Sequence, residues 1–161
     1  MEGACGRIIS TDDPNVVIKH VYHRNRPQQR NCSLRAEEQA RMQEFARRLC
    51  IKAGFQMLFV PRAWDATKHA YKMDRIDVSS PLEMTDVKDH AVLEELKAFY
   101  AAAMVASVFP MDYELYVQPD GKIAMVDFDK FSSWKDGTIT FPWGLVLKDS
   151  VMREQFPFLF A

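Results

Sequence analysis

The sequence predicts a mixed α+β domain, and three observations lead to that fold class. Short β-branched and apolar runs bounded by turn-forming residues indicate strands, and two segments with apolar residues at helical spacing indicate helices. The length of 161 residues is that of one domain. We therefore expect a single domain over residues 1–161, with a first half of about residues 1–77 and a second half of about residues 78–161.

The first half begins with a strand–turn–strand segment. Residues 7–10 are a short strand candidate, residues 11–15 are rich in turn formers, and residues 16–22 are β-branched and mostly apolar. Lys19 lies in the second strand with two valines on the same face, so its side chain is expected to be partly buried. A solvent-facing Lys19 is the alternative.

A helix is expected to begin near Ser33, a residue type that suits the N-cap, and to end near Gly54. Its apolar stripe contains Leu34, Met42, Phe45 and Leu49. Glu38 falls within this stripe at helical spacing, and burying a carboxylate without a partner is costly. Glu38 is therefore expected to meet a buried cation, unless it is partly exposed and paired with Arg35 or Arg41.

The middle of the chain predicts two further strands, a connection and a long helix. The strands are expected at residues 57–61 and 70–73, and the polar residues 77–89 are expected to connect the two halves. An Ala-rich apolar helix is expected over residues 91–108. Pro110 is expected to stop it, because proline interrupts a helix.

A β-hairpin is expected after the long helix. Residues 115–117 and 122–126 are short apolar runs around the turn sequence Gln-Pro-Asp-Gly at residues 118–121. The second run leads directly into Asp127-Phe128-Asp129, so these carboxylates are expected at the end of a strand. Residues 138–147 are expected to hold one more short strand.

Taken in this order, the features resemble the protein-kinase-like fold, nearest to its aminoglycoside and choline phosphotransferase branch. The matching residues are Val17-Ile18-Lys19, Glu38, Tyr71-Lys72-Met73-Asp74-Arg75-Ile76 and the segment from Asp120 to Asp129. The resemblance covers residues 7–131. It implies a two-lobed minimal kinase-like fold, in which an antiparallel N-lobe sheet with one helix precedes a reduced helical C-lobe.

The resemblance also implies roles for three residues of the first half. In kinase-like folds a strand lysine contacts nucleotide phosphates and a helix carboxylate pairs with that lysine. Lys19 and Glu38 are the corresponding residues here. The cofactors that the resemblance implies are ATP and Mg²⁺. Met73 lies in the hinge-like strand and is expected to contact the nucleotide.

In the second half, the resemblance implies metal ligands and a catalytic base. Asp127 is the expected metal ligand, and Asp129 would assist it. Glu114 lies where the family has an Asn ligand. Carboxylate oxygens are ligands that suit Mg²⁺. Asp112 would be a displaced base and forms the expected catalytic set with Lys19 and Asp127. Alternatively, Asp127 is a turn residue at a strand end, and Asp112 and Glu114 cap the break after Pro110.

The sequence departs from the family pattern in ways that argue against ordinary protein kinase activity. No glycine-rich loop has the family's spacing, the position of the catalytic Asp falls near Phe109, and few residues follow Asp129. Two hypotheses follow. One is an enzyme with an acidic inter-lobe cleft, which performs phosphoryl transfer to a small molecule or acid/base chemistry on another substrate. The other is an inactive pseudokinase-like module that binds a protein, a phosphate group or RNA.

Composition and charge argue against several other classes of function. A net charge of −1 gives no long-range attraction to nucleic acid or to an anionic membrane. Three cysteines do not suit a disulfide framework and fit a reducing compartment. The N-terminus lacks signal-peptide features, and the apolar stretch 96–108 is shorter than the ~20 residues that cross a bilayer. A soluble cytoplasmic protein is expected.

Two segments are candidate interaction surfaces. The basic residues 19–35 are expected to form a solvated face, with phosphate or RNA binding as the alternative. The aromatic tail at residues 156–160 is expected to lie in the core or to form a contact between copies of the chain.

Overall fold

The structure is a computed structural model that describes residues 6–21, 36–106, 108–135, 138–140 and 146–147. Within these residues the elements are β1 (Gly6–Ser10), β2 (Val16–Val21), α1 (Ala36–Ala53), β3 (Leu58–Phe59), β4 (Ala63–Trp64), β5 (Ala70–Asp74), β6 (Pro81–Leu82), α2 (His90–Val105), β7 (Val108–Val117), β8 (Ile123–Lys135), β9 (Thr138–Thr140) and β10 (Val146–Leu147). One turn of 3₁₀ helix (Met84–Asp86) precedes α2. The predicted α+β class is confirmed.

The first sheet contains four antiparallel strands in the order β1-β2-β5-β4. The turn between β1 and β2 is held by the carboxylate of Asp13, which accepts a hydrogen bond from the backbone N–H of Asn15 at 2.8 Å. Burial alternates along β2, and the buried positions are Val17, Lys19 and Val21. The predicted strand–turn–strand segment and the burial of Lys19 are therefore confirmed.

The second sheet has the order β10-β9-β8-β7-β6, and β3 adds to β8 in parallel. The long β7–β8 hairpin forms its centre. In the predicted turn, Gly121 has a φ of 86°, a conformation that glycine adopts without steric cost, and the N–H of Gln118 donates to the carbonyl of Lys122 at 2.8 Å. The hairpin prediction is confirmed, although both strands extend beyond the predicted bounds.

Helix α1 presents small and amide side chains to the rest of the protein. Its buried residues are Ala36, Gln39, Ala40, Gln43, Ala46 and Cys50. The described members of the predicted apolar stripe, Met42, Phe45 and Leu49, pack against the larger apolar cluster but are only half-buried. Small side chains allow the helix backbone to lie close to the sheets, which explains why the most buried face is not the most apolar one.

The buried amide of Gln43 is accommodated by hydrogen bonds. Its Nε2 donates to the carbonyl of Pro61 at 2.8 Å, and the hydroxyl of Tyr71 donates to its Oε1 at 3.5 Å. These contacts offset the cost of burying a polar group. The helix ends as predicted before Gly54, which has a φ of 68°.

Helix α2 is capped at its N-terminus by Asp89, whose carboxylate accepts a hydrogen bond from the N–H of Val92 at 3.2 Å. The helix ends at Val105, so its predicted extension to residue 108 was wrong. Pro110 was expected to stop this helix and instead lies within β7. It pairs with residue 131 next to a register irregularity, and such irregularities are among the places where a sheet tolerates proline.

Two other bounds differ from the predictions. The strand predicted at residues 57–61 is reduced to β3. Before and at its start, the backbone N–H groups of residues 56–58 donate to the Glu95 carboxylate of α2 at 2.6–3.2 Å. The predicted connection at residues 77–89 contains β6, which pairs with β7. Ser33, most of the basic segment and the aromatic tail lie outside the described residues.

Two apolar clusters hold these elements together. The larger cluster lies between the two helices and the second sheet, and its members include Leu96, Phe99, Tyr100, Leu115, Met125 and Phe128. The smaller cluster joins the two sheets, and its members are Val17, Val21, Ala36, Ala40, Ala63, Tyr71, Met73, Tyr116 and Val126. Neither described helix has the length and apolar composition that a bilayer crossing requires.

Buried weak acids in the larger cluster predict a loss of stability at alkaline pH. Burial raises the pKa of the Cys50 thiol to about 12, and burial together with Tyr113 raises the pKa of the Tyr100 hydroxyl. The unfolded chain releases these protons above about pH 9, whereas the folded chain retains them, so the free energy of unfolding should fall as pH rises through this window.

Urea unfolding at a series of pH values between about 8 and 10.5 measures this effect. The Tyr100→Phe variant should show a shallower fall in stability with pH than the unsubstituted chain, whatever its stability at neutral pH. An equal slope for the two proteins would contradict the prediction.

Candidate functional site

The register of the β7–β8 hairpin breaks at the segment that carries the predicted aspartates. Regular pairing joins Glu114 to Val126, and the next pair joins Asp112 to Lys130. Between these pairs β7 contributes one residue and β8 contributes residues 127–129. The predicted strand end was therefore wrong: the strand continues to residue 135 and carries these residues as a bulge.

The bulge turns Asp127 toward the first sheet. In a regular strand side chains alternate between faces, so Asp127 would share the face of Met125. Instead Phe128 packs in the same cluster as Met125, and Val126 packs in the cluster on the other side. Asp127 has a φ of 70°, a left-handed conformation that Asp tolerates better than most residues. It consequently lies on the Val126 face, which is directed at β2.

Lys19 and Asp127 form an ion pair between the two sheets. The ammonium of Lys19 in β2 donates to Oδ1 of Asp127 in β8, and 108 positions separate the two residues in the sequence. The Lys19 side chain is 9% exposed and the Asp127 side chain is 34% exposed. A buried cation is thus fixed against a carboxylate that a ligand can still reach.

Glu114 and Tyr116 extend the site along β7. They lie two positions apart and share the face that carries Asp127, and the hydroxyl of Tyr116 donates to Oε2 of Glu114 at 2.7 Å. Burial, Glu114 and Asp127 all raise the pKa of Tyr116, and Lys19 opposes them. The Tyr116 hydroxyl is therefore hydrogen-bonded to Glu114 and lies within electrostatic range of Lys19 and Asp127.

A shallow cavity of about 170 Å³ adjoins this end of the site. It lies between β6, the 3₁₀ turn and β7, and Glu83, Met84, Glu114 and Tyr116 are among the residues that line it. Its volume and its two carboxylates suit a small polar group. Among the described residues, no three His, Cys, Asp or Glu side chains are grouped so that they alone could hold a metal ion.

A scan against family models and a search of curated proteins found no match to this chain. Its function is therefore inferred from the site itself.

The structure brings together three of the residues predicted from the sequence, namely Lys19, Asp127 and Glu114. Glu38 is half-buried on α1, and its contact with Lys19 stays a prediction. Met73 is buried in the smaller cluster, which Val126 beside Asp127 also joins.

The remaining two predicted residues are described by their backbone alone. Asp112 lies in β7 opposite Lys130, and Asp129 lies in the bulge of β8. Their side chains lie outside the described part of the structure, so their roles as base and assisting ligand stay predictions.

Sequence reasoning missed Tyr116 as a site residue. The available signal was its spacing, because positions i and i+2 of a strand share a face and Glu114 was already a candidate. The sequence pattern instead places Tyr116 in an apolar run of the hairpin. Its ring does pack in the smaller cluster, and only its hydroxyl reaches the site.

Proposed function

We propose that this chain is a divergent kinase-like phosphotransferase of minimal two-lobed form, which binds ATP with Mg²⁺ and transfers a phosphoryl group to a small molecule. The observation that supports this proposal is the ion pair between Lys19 and Asp127, which links two sheets at a site that ligands can reach. It places an ammonium that can bind phosphate oxygens beside a carboxylate that can bind a divalent cation. Phosphoryl transfer requires both kinds of group.

The described side chains fit such a ligand. Lys19 is held in place by packing and by Asp127, so its ammonium is already oriented and needs little reorganisation to bind a phosphate. Asp127 and Glu114 would hold the cation, Asp127 through an oxygen not shared with Lys19 and Glu114 through a carboxylate on the same face. When bound, Mg²⁺ neutralises the charge that develops on the phosphoryl oxygens.

The remaining predicted residues complete this proposal. Glu38 would pair with Lys19, and Met73 would contact the apolar part of the nucleotide. Asp112 would act as the base toward the acceptor, and Asp129 would assist the metal ligands. The acceptor would be a small molecule in the cytoplasm, and contact between copies of the chain through residues 156–160 stays a prediction.

A second candidate function is a binding module without turnover. It is favoured by the absence of a glycine-rich loop before Lys19, since kinase-like folds cover the nucleotide phosphates with such a loop. The described residues 6–18, which precede Lys19, contain a single glycine, Gly6, at the start of β1. Fewer backbone N–H groups could therefore approach the phosphates, which would weaken nucleotide binding.

Ligand-induced thermal stabilisation tests the proposed site. Saturation with ATP and Mg²⁺ at about 100 times the dissociation constant should add ~2.7 kcal/mol of stability, which is about 5–10 °C for a chain of this size. The shift should vanish in Asp127→Ala, because that variant removes a proposed metal ligand. Asp86→Ala is the matched control, since Asp86 is an exposed carboxylate of the 3₁₀ turn.

The shift is measured against each variant's own melting temperature, so that a change in stability is not mistaken for a change in binding. A shift that persists unchanged in Asp127→Ala would contradict the proposed site. Formation of ADP with a panel of hydroxyl- and amine-bearing acceptors then separates the two candidate functions, because the binding module would show the thermal shift and no turnover.

A further inference from the structure

Among the described residues, the hydroxyl of Tyr116 is the hydrogen-bond partner of the Glu114 side chain. Glu114 is exposed on β7, and a glutamate in such a position samples several side-chain conformations. The hydroxyl of Tyr116 selects among them, since it donates to Oε2 of Glu114 at 2.7 Å. The hydrogen bond leaves Oε1 of Glu114 available to a ligand.

The ring of Tyr116 is fixed by packing, so its hydroxyl can hold the Glu114 carboxylate in one orientation. The residue is 9% exposed and packs with Val126, the neighbour of Asp127, in the cluster between the sheets. Tyr116 pairs with Ala124 across the hairpin and Glu114 pairs with Val126, so the two side chains lie two positions apart on one face, and Asp127 follows Val126 in the bulge. A ring fixed by packing presents its hydroxyl in one position.

We propose that Tyr116 is a positioning residue that orients the Glu114 carboxylate so that Glu114 and Asp127 bind one divalent cation together. This inference rests on the metal binding of the proposed function and assigns a role to a residue that has none in it. Hydrogen-bond partners of metal ligands commonly affect affinity in this way, because they fix the orientation of the ligand before the ion arrives.

The experiment uses Mn²⁺ alone as the probe, with the full chain, and follows free Mn²⁺ by its electron paramagnetic resonance signal. Tyr116→Phe keeps the ring and removes the hydroxyl, and we expect Mn²⁺ to bind about tenfold more weakly. Tyr113→Phe is the matched control. It removes a hydroxyl from the same strand, but that hydroxyl contacts Tyr100 on the opposite face, so Mn²⁺ affinity should not change.

A double-mutant cycle shows whether Tyr116 acts through Glu114. In the Glu114→Gln background, Tyr116→Phe should cause no further loss of Mn²⁺ affinity. An equal loss in both backgrounds would overturn the inference, as would a Tyr116→Phe variant that binds Mn²⁺ like the unsubstituted chain. Those two results leave the proposed function standing. Failure of the unsubstituted chain to bind Mn²⁺ would overturn both the inference and the proposed metal site.

Discussion

Asp127→Ala should lower the free energy of unfolding by about 2–3 kcal/mol, and Lys19→Met should lower it by about 1 kcal/mol or less. The asymmetry follows from burial. Asp127→Ala takes a carboxylate away from an ammonium whose side chain is only 9% exposed. Lys19→Met replaces that ammonium with an apolar group of similar length, and the remaining carboxylate, 34% exposed, can be hydrated.

Urea unfolding of the three proteins measures both values. Asp65→Ala is a close control, because Asp65 also has a positive φ, of 50°, and also pairs with a lysine, Lys72, at 3.0 Å. That pair is exposed, so its loss should add about 0.5 kcal/mol or less to the strain of alanine at a positive φ, a strain that the two alanine variants share. Equal losses of unfolding free energy for Asp127→Ala and Asp65→Ala would show that the burial of Lys19 contributes nothing to the cost of removing Asp127.

The backbone of Asp127 allows a further comparison within the same experiment. At a φ of 70°, alanine is strained by roughly 1–2 kcal/mol and glycine is not. Asp127→Gly should therefore be less destabilised than Asp127→Ala, although both variants remove the same carboxylate. If Asp127→Gly were the less stable variant, the left-handed conformation would not be a property of the folded protein in solution.

Much of the fold follows from local sequence patterns. Turn formers between β-branched runs predicted the β1–β2 hairpin, and the Pro-Asp-Gly turn predicted the β7–β8 hairpin. The alternation of Val17, Lys19 and Val21 predicted that Lys19 is buried. These features depend on neighbours in the sequence, which is why sequence reasoning reached them.

The features that were missed depend on contacts between distant segments. Alternation along β8 places Asp127 on the face of Met125, and only the bulge opposite Tyr113 reverses that assignment. The buried face of α1 is set by how closely the helix approaches the sheets, which an apolar stripe does not report. Pro110 breaks a helix in isolation, but pairing with β8 places it in a strand. Sequence reasoning therefore identified site residues but not the direction in which their side chains point.

Phe128→Ala should destabilise the protein by about 3–5 kcal/mol and should also weaken the site, because one side chain fixes both. Phe128 is 1% exposed and stacks on Tyr113, with ring centroids 5.4 Å apart and an interplanar angle of 21°. It is the residue after Asp127, so its burial in the larger cluster is what holds Asp127 on the opposite face. Phe128→Leu keeps most of the apolar volume and should cost about 1–2 kcal/mol.

Leu96→Ala is the control that separates the effect of Phe128 on stability from its effect on the site. Leu96 is fully buried in the same cluster on α2, and its truncation should cost about 2–5 kcal/mol without moving the bulge. Stability is measured by urea unfolding, and Mn²⁺ affinity is measured at a temperature where every variant is folded. We expect Leu96→Ala to bind Mn²⁺ like the unsubstituted chain, and we expect Phe128→Ala to bind it more weakly although the two variants lose similar stability. If the Mn²⁺ affinity of these variants followed their free energy of unfolding alone, the role of Phe128 in directing Asp127 would be contradicted. Leu96, a core residue remote from the bulge, would then affect the site as much as Phe128, the residue next to Asp127.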